Sequence, residues 1–91
     1  MKRLVRSATY RQDLDDIESY IARRAPLAAA KLVDHIDKQF TQLTDTNFPR
    51  RPGRVGGTSE LVVHKNYIII FIETAMDITA LNVVHARRRY P

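Results

Sequence analysis

The chain has no cysteine, so neither a disulfide framework nor a thiolate metal site is available to it. Its longest unbroken apolar run, Tyr67 to Ile72, falls far short of a bilayer span, and the N-terminus lacks the apolar core of a secretion signal. There is no Gly-rich phosphate loop opening a helix, no Ser or Cys nucleophile signature, no internal repeat and no low-complexity tract. The three histidines have no ligand spacing and no carboxylate pair beside them, so neither a metal nor another cofactor is expected. These absences leave a cytoplasmic protein without a membrane partner as the expectation. With 91 residues, residues 1–91 make a single domain, near the lower end of the range in which one core is stable without disulfides or metals.

What is present is positive charge, and it is unevenly spread. The formal net charge is +5; residues 1–49 hold eight basic and seven acidic side chains, residues 50–91 seven basic and three acidic. In the second half the cations fall mainly in two groups, Arg50, Arg51 and Arg54 in a Pro/Gly-rich stretch and Arg87, Arg88 and Arg89 near the end. A cluster of one sign raises the local concentration of its opposite, which points to a nucleic acid or an acidic protein as partner.

Periodicity supplies the elements. Lys2 to Arg6 is a short strand candidate. Ser7 or Thr9 caps a first helix, on which Tyr10, Leu14, Ile17 and Ile21 recur at helical intervals. Pro26 suits the first turn of a second helix, whose stripe is Ala29, Leu32, Val33, Ile36, Phe40 and Leu43. The short link between them predicts an antiparallel hairpin. From Thr44 to Thr58 the pattern stops in a loop long enough to be suspected of function. Beyond it the period becomes two, with strands predicted at Ser59 to His64, Tyr67 to Glu73 and Ile78 to Val84. The expected fold is α+β, in the order β-α-α-β-β-β, with an antiparallel sheet, room for the N-terminal strand to insert into it, and the helix hairpin packed on one face. In the last strand Leu81, Val83 and His85 share one parity.

Three groups of polar residues are candidates to converge: the loop arginines, the strand positions Glu60 and Lys65, and the tail with His85, Arg87, Arg88, Arg89 and Tyr90. A metal-free ribonuclease needs little more. The 2′-hydroxyl attacks its own phosphate once a base removes its proton, cations stabilise the charge on phosphorus, and an acid protonates the leaving oxygen. Glu60 or His85 suits the base, His85 or Tyr90 the acid, and Arg54 with Arg87 the phosphate clamp. Arg50, Arg51, Lys65, Arg88 and Arg89 complete a target- or phosphate-binding surface. The bland alternative for His64 and Lys65 is solvation of a hairpin end, and for His35 a partly buried place beside the helix stripe.

The run Asp13-Leu14-Asp15-Asp16-Ile17-Glu18-Ser19-Tyr20-Ile21, the Ala-rich helix opened by Pro26, and then Arg51-Pro52-Gly53-Arg54-Val55, Glu60-Leu61-Val62-Val63-His64 and Val84-His85-Ala86-Arg87-Arg88-Arg89-Tyr90-Pro91 occur together in this order. In these motifs the whole chain resembles the RelE/ParE superfamily of toxins from bacterial type II toxin-antitoxin modules. The resemblance implies a cognate antitoxin that wraps the toxin in a hetero-oligomer. It implies one of two targets: DNA gyrase for ParE-like members, or the ribosome with its mRNA for RelE-like endonucleases. His85 and Tyr90 fall where ribosome-dependent nucleases have a C-terminal His and Tyr, adjacent there and four residues apart here. Glu60 lies near the strand carboxylate of that branch. Those nucleases usually carry Arg directly after the aromatic that opens the central strand, whereas here Tyr67 is followed by Ile68. The expectation therefore leans to gyrase poisoning, with mRNA cleavage and an inactive relative that only binds antitoxin as alternatives.

Overall fold

In the computed structural model, which describes residues 1–87, a five-stranded sheet of order β1-β5-β4-β3-β2 carries two helices on one face. The elements are β1 (Arg3–Arg6), α1 (Ala8–Ala22), α2 (Pro26–Thr41), a 3₁₀ turn (Gln42–Thr44), β2 (Arg51–Pro52), β3 (Ser59–His64), β4 (Tyr67–Glu73) and β5 (Asp77–His85). No helix of the described residues is long and apolar enough to cross a membrane.

Each helix begins where its chemistry allows. Ser7 is the N-cap of α1, its hydroxyl accepting the Tyr10 N–H at 3.0 Å, so the first free backbone donors do not go unmet. Pro26 opens α2, where its missing N–H costs nothing. The stripes then meet the sheet: Tyr10, Ile36, Phe40 and Leu43 pack with Leu61, Val63, Ile69, Phe71, Ile78 and Ala80 in one core, all at most 5 % exposed. Ala29 is fully buried, as a small side chain must be where elements approach closely. On the far face, Ile68 and Ile70 are only 6 % and 7 % exposed. In register, Val62 and Val84 flank Ile68, and Glu60 and Asn82 flank Ile70.

The antiparallel β3-β4-β5 meander and its helix hairpin agree with the pattern in the sequence; besides the short β2, which pairs with β3 inside the stretch expected to be a loop, two features differ. The N-terminal strand does not insert. It runs parallel to β5 at the sheet's edge, Arg3 opposite Asp77 and Arg6 opposite Ala80, because it leads directly into α1, which must return along the same strand. The second difference is a bulge: β4 and β5 slip register between Ile70↔Asn82 and Phe71↔Ala80, leaving Leu81 as an extra residue. The row facing the helices is therefore Ile78, Ala80, Val83 and His85, and Leu81 leaves the parity set predicted for it. Asp13 on α1 meets the disturbed ladder, its carboxylate accepting the Val83 N–H at 2.9 Å.

Candidate functional site

The hairpin end of the sheet gathers three rings. β5 ends with His85 opposite Tyr67, the first residue of β4, and the rings lie edge to face at 5.5 Å and 69°. Across the two-residue turn Lys65-Asn66, His64 packs against the other side of the pairing at 5.9 Å from Tyr67. Each imidazole uses Nδ1 in the same way: His64 Nδ1 accepts the Asn66 N–H at 3.1 Å, and His85 Nδ1 accepts the Arg87 N–H at 3.2 Å. A neutral ring has one donor and one acceptor nitrogen, so both must carry their proton on Nε2. In this arrangement His85 keeps its basic nitrogen for the backbone and has Nε2–H as its donor, which suits a hydrogen bond to an acceptor better than proton abstraction. Ala86 N–H to Asn66 O, at 2.7 Å, ties the strand end to the turn. Lys65 and Arg87 are exposed beside this cluster in sequence. Among the described residues, no group of three His, Cys, Asp or Glu side chains is placed to hold a metal.

Glu60 is elsewhere. It sits on β3 opposite Ile70, on the face away from the helices, whereas His85 stands opposite Tyr67 on the helix face. One Glu60 oxygen accepts the Arg51 Nε–H at 2.8 Å; the carboxylate is 4 % exposed and Arg51 55 %. The other oxygen, Oε2, is buried without a hydrogen-bond partner among the described residues. Beside it a cavity of about 370 Å³ opens between β3 and the segment Phe48–Arg51, closed by Gln39 of α2.

Arg50, expected on a phosphate-binding surface, is partly buried, and its guanidinium is engaged within the chain. Nη1 donates to both oxygens of Glu73 at 2.8 Å, Nε to Phe48 O, and Nη2 to Leu43 O and Asp45 O. All five N–H donors of the guanidinium are consumed, so none is left for a phosphate. Burial works against ionised Glu73, but the hydrogen bonds from Lys2 and Arg50 outweigh it and hold the carboxyl below its ordinary value. Arg54 is exposed in the turn that follows β2, where Gly53 N–H donates to Thr58 O and Gly57 takes a positive φ of 84°. Arg88, Arg89 and Tyr90 lie outside the described residues.

The structure thus separates the predicted site residues. His85, Lys65 and Arg87 belong to the hairpin end, which also recruits His64 and Tyr67. Arg51 and Glu60 form a pair on the opposite face, and Arg50 is a strut of the loop. His35, on α2, donates Nε2–H to Val63 O at 3.0 Å and so closes part of the β3 edge. The signal for Tyr67 was available in the sequence, since an aromatic opening a strand stands opposite the end of its hairpin partner.

Residues 4–90 match the family model described as ParE toxin of type II toxin-antitoxin system, parDE. The chain belongs to this ParE toxin family. A curated Sinorhizobium fredii relative, named "Putative toxin Y4kP", is 36% identical over 78 residues, 86% of this chain and 81% of the relative. Among solved structures, the chain resembles one from the chromosomal ParDE TA system of P. aeruginosa, with a TM-score of 0.84, 25% identity, and coverage of 93% of this chain and 96% of that one. YafQ from E. coli (TM-score 0.65, 13% identity, 94% of each chain) and the YoeB dimer from Staphylococcus aureus (TM-score 0.60, 11% identity, 98% of each chain) share the fold. The protein is a toxin of the ParE/RelE type II class.

Proposed function

We propose that this ParE-family toxin poisons DNA gyrase, acting in the cytoplasm, and that a cognate antitoxin keeps it inactive in a hetero-oligomer. The observation that carries the choice of target is the separation of Glu60 from His85. A metal-free ribonuclease needs its base and acid on either side of one phosphate. Here the carboxylate is bound to Arg51 on one face of the sheet and the imidazole is packed on Tyr67 at the end of the other. Ile68 in place of an Arg after Tyr67 supports the same choice. The basic residues of the hairpin end, Lys65 and Arg87 with the Nε2–H groups of His64 and His85, then serve as a surface that holds the target rather than as a reaction centre.

Support for the antitoxin comes from the helix hairpin, where Tyr20 and Leu27 are 73 % and 69 % exposed, apolar surface that an amphipathic segment would cover. Two solved structures in this fold come from the chromosomal ParDE TA system of P. aeruginosa and the DinJ-YafQ complex of E. coli.

Separate substitutions at His85 and Tyr90 test the target. Tyr90→Phe should retain full growth inhibition when expressed without antitoxin, and His85→Ala should weaken it only in part, through one lost target contact, because neither residue performs chemistry. Loss of toxicity in both, with antitoxin binding intact, would turn the assignment to mRNA cleavage.

A further inference from the structure

The arginines on the strands of this sheet are each paired with a carboxylate: Arg3 with Asp77, Arg6 with Asp37 and Arg51 with Glu60. At the hairpin end the pattern stops. Lys65, in the turn between β3 and β4, and Arg87, just past β5, are exposed and have no carboxylate partner among the described residues. The sequence supplies none nearby, since no Asp or Glu occurs between Leu61 and Ile72 or between Ile78 and Arg87.

The rings beside these cations also keep unspent donors. Nε2 of His64, Nε2 of His85 and the Tyr67 hydroxyl have no hydrogen-bond partner among the described residues. Glu60 Oε2 is the only unpartnered side-chain polar atom that is also buried there, so the three ring donors reach the surface.

Register sets their spacing. His64 and His85 both stand opposite Tyr67, one on each side, so the three rings form a row across β3, β4 and β5 with centroids 5.9 and 5.5 Å apart. Two strand spacings separate the outer pair by about 10 Å, too wide for both imidazoles to share one phosphate and suited to successive groups of an extended polyanion. A row of flat rings with N–H and O–H donors, set beside two unpaired cations, complements a chain that offers both phosphates and base faces. An acidic protein surface would use the cations and leave the rings without a role.

From this we infer that the hairpin end holds one strand of DNA. Lys65 and Arg87 take phosphates, and the donors of His64, Tyr67 and His85 contact the backbone or base edges between them. For a gyrase poison this means a grip on the DNA of the enzyme-DNA complex as well as on the enzyme. The choice of DNA over RNA rests on the gyrase reading above; the polynucleotide chemistry of the site does not.

The probe is a fluorescein-labelled oligothymidylate, about 12 nucleotides long, titrated into the full chain and followed by anisotropy. Binding should move the amides of His64, Lys65, Tyr67, His85 and Arg87 most. A chain of net charge +5 attracts any polyanion, so the decisive comparison is between two pairs of cations. Lys65→Ala with Arg87→Ala should weaken binding on the order of twentyfold at about 0.1 M salt and reduce the slope of log affinity against log salt by about 1.4. Arg3→Ala with Lys38→Ala removes the same charge from side chains 75% and 74% exposed, and should cost less than about threefold. His85→Ala should cost about fivefold, the loss of one hydrogen bond. The oligothymidylate should bind at least as tightly as the matching oligouridylate, and far more tightly than an oligo-aspartate of equal charge.

Equal losses from the two cation pairs, or amide shifts confined to the helices, would overturn the inference. So would tighter binding of the oligouridylate, which makes RNA the ligand, or equal binding of the oligo-aspartate, which makes the surface one for acidic proteins. With purified gyrase and plasmid, equal trapping of cleaved DNA by wild type and by the Lys65→Ala, Arg87→Ala double variant overturns the DNA contact and leaves the gyrase reading standing. Absence of trapping by wild type overturns that reading, and the oligonucleotide titration still decides the site.

Discussion

Asp37→Ala is expected to lower the unfolding free energy by about 3 kcal/mol and Tm by roughly 15 °C. Asp37 on α2 is where three elements are tied together. Arg6 of β1 donates to it twice, Nε to Oδ1 at 2.8 Å and Nη2 to Oδ2 at 2.9 Å, and the fully buried Tyr10 of α1 donates its hydroxyl at 2.9 Å. Arg6 also lies over the Phe40 ring at 5.2 Å. The ion pair alone would justify a smaller figure, because the Asp37 side chain is 36 % exposed and partly screened. The larger loss is what remains behind: a tyrosine hydroxyl with no acceptor inside the core, and a guanidinium held above an aromatic ring without its anion. Burial and the bond to Asp37 push the Tyr10 phenol far above its ordinary value, so ionisation offers it no escape. Asp37→Asn keeps an acceptor for Tyr10 and should lose about half as much. Denaturant unfolding of the three proteins is the check, and a loss under about 1 kcal/mol for Asp37→Ala would contradict the account.

Arg50→Ala is the second large effect, about 3 kcal/mol, with a different signature. Arg50 and Glu73 are 17 % and 20 % exposed, and the guanidinium also holds three carbonyls of the segment that follows α2. Removing it strands Glu73 with Lys2 alone and frees Leu43 O, Asp45 O and Phe48 O together. The turn amides of Asp45 and Phe48 should then exchange with solvent much faster, while those of β4 and β5 keep their protection relative to global unfolding. Arg50→Lys should recover less than half of the loss, since a single ammonium cannot reach the positions of a five-donor fork. Unchanged exchange in the segment would mean that Arg50 is not what anchors it.

Both carboxylates impose the same pH dependence. For Asp37 and Glu73 burial favours the neutral form, but hydrogen bonds from Arg6 and Tyr10 in one case, and from Lys2 and Arg50 in the other, leave the folded-state values below the ordinary 3.8 and 4.5. A depressed carboxylate contributes stability that is complete above the unfolded value and is lost as pH falls through the folded one. Stability due to these two groups should therefore hold from neutrality to about pH 5 and decline below it. In the double variant Asp37→Asn, Glu73→Gln that decline should be shallower.

These residues also show what the sequence made legible. Ser7, Pro26 and the two apolar stripes mark helices because caps and periodicity act locally. Tyr67–Glu73 is a strand by the same reasoning, since its apolar character on both faces suits a central position. The parallel placement of β1 and the bulge at Leu81 escape such reasoning, because both are set by how α1 returns along β5. Arg50 shows the limit for the site: three arginines in a Pro/Gly-rich loop look alike until Glu73, 23 residues away, engages one of them. Glu60 and His85 likewise have well-defined alternation within their own strands. Which face each strand turns to the helices depends on the register that joins them through β4.

The central claim is the target, and pulse labelling after controlled expression without antitoxin, following DNA and protein synthesis separately over the first minutes, tests it most directly. The account predicts that DNA synthesis stops first while protein synthesis continues; early collapse of protein synthesis with DNA synthesis intact would contradict it.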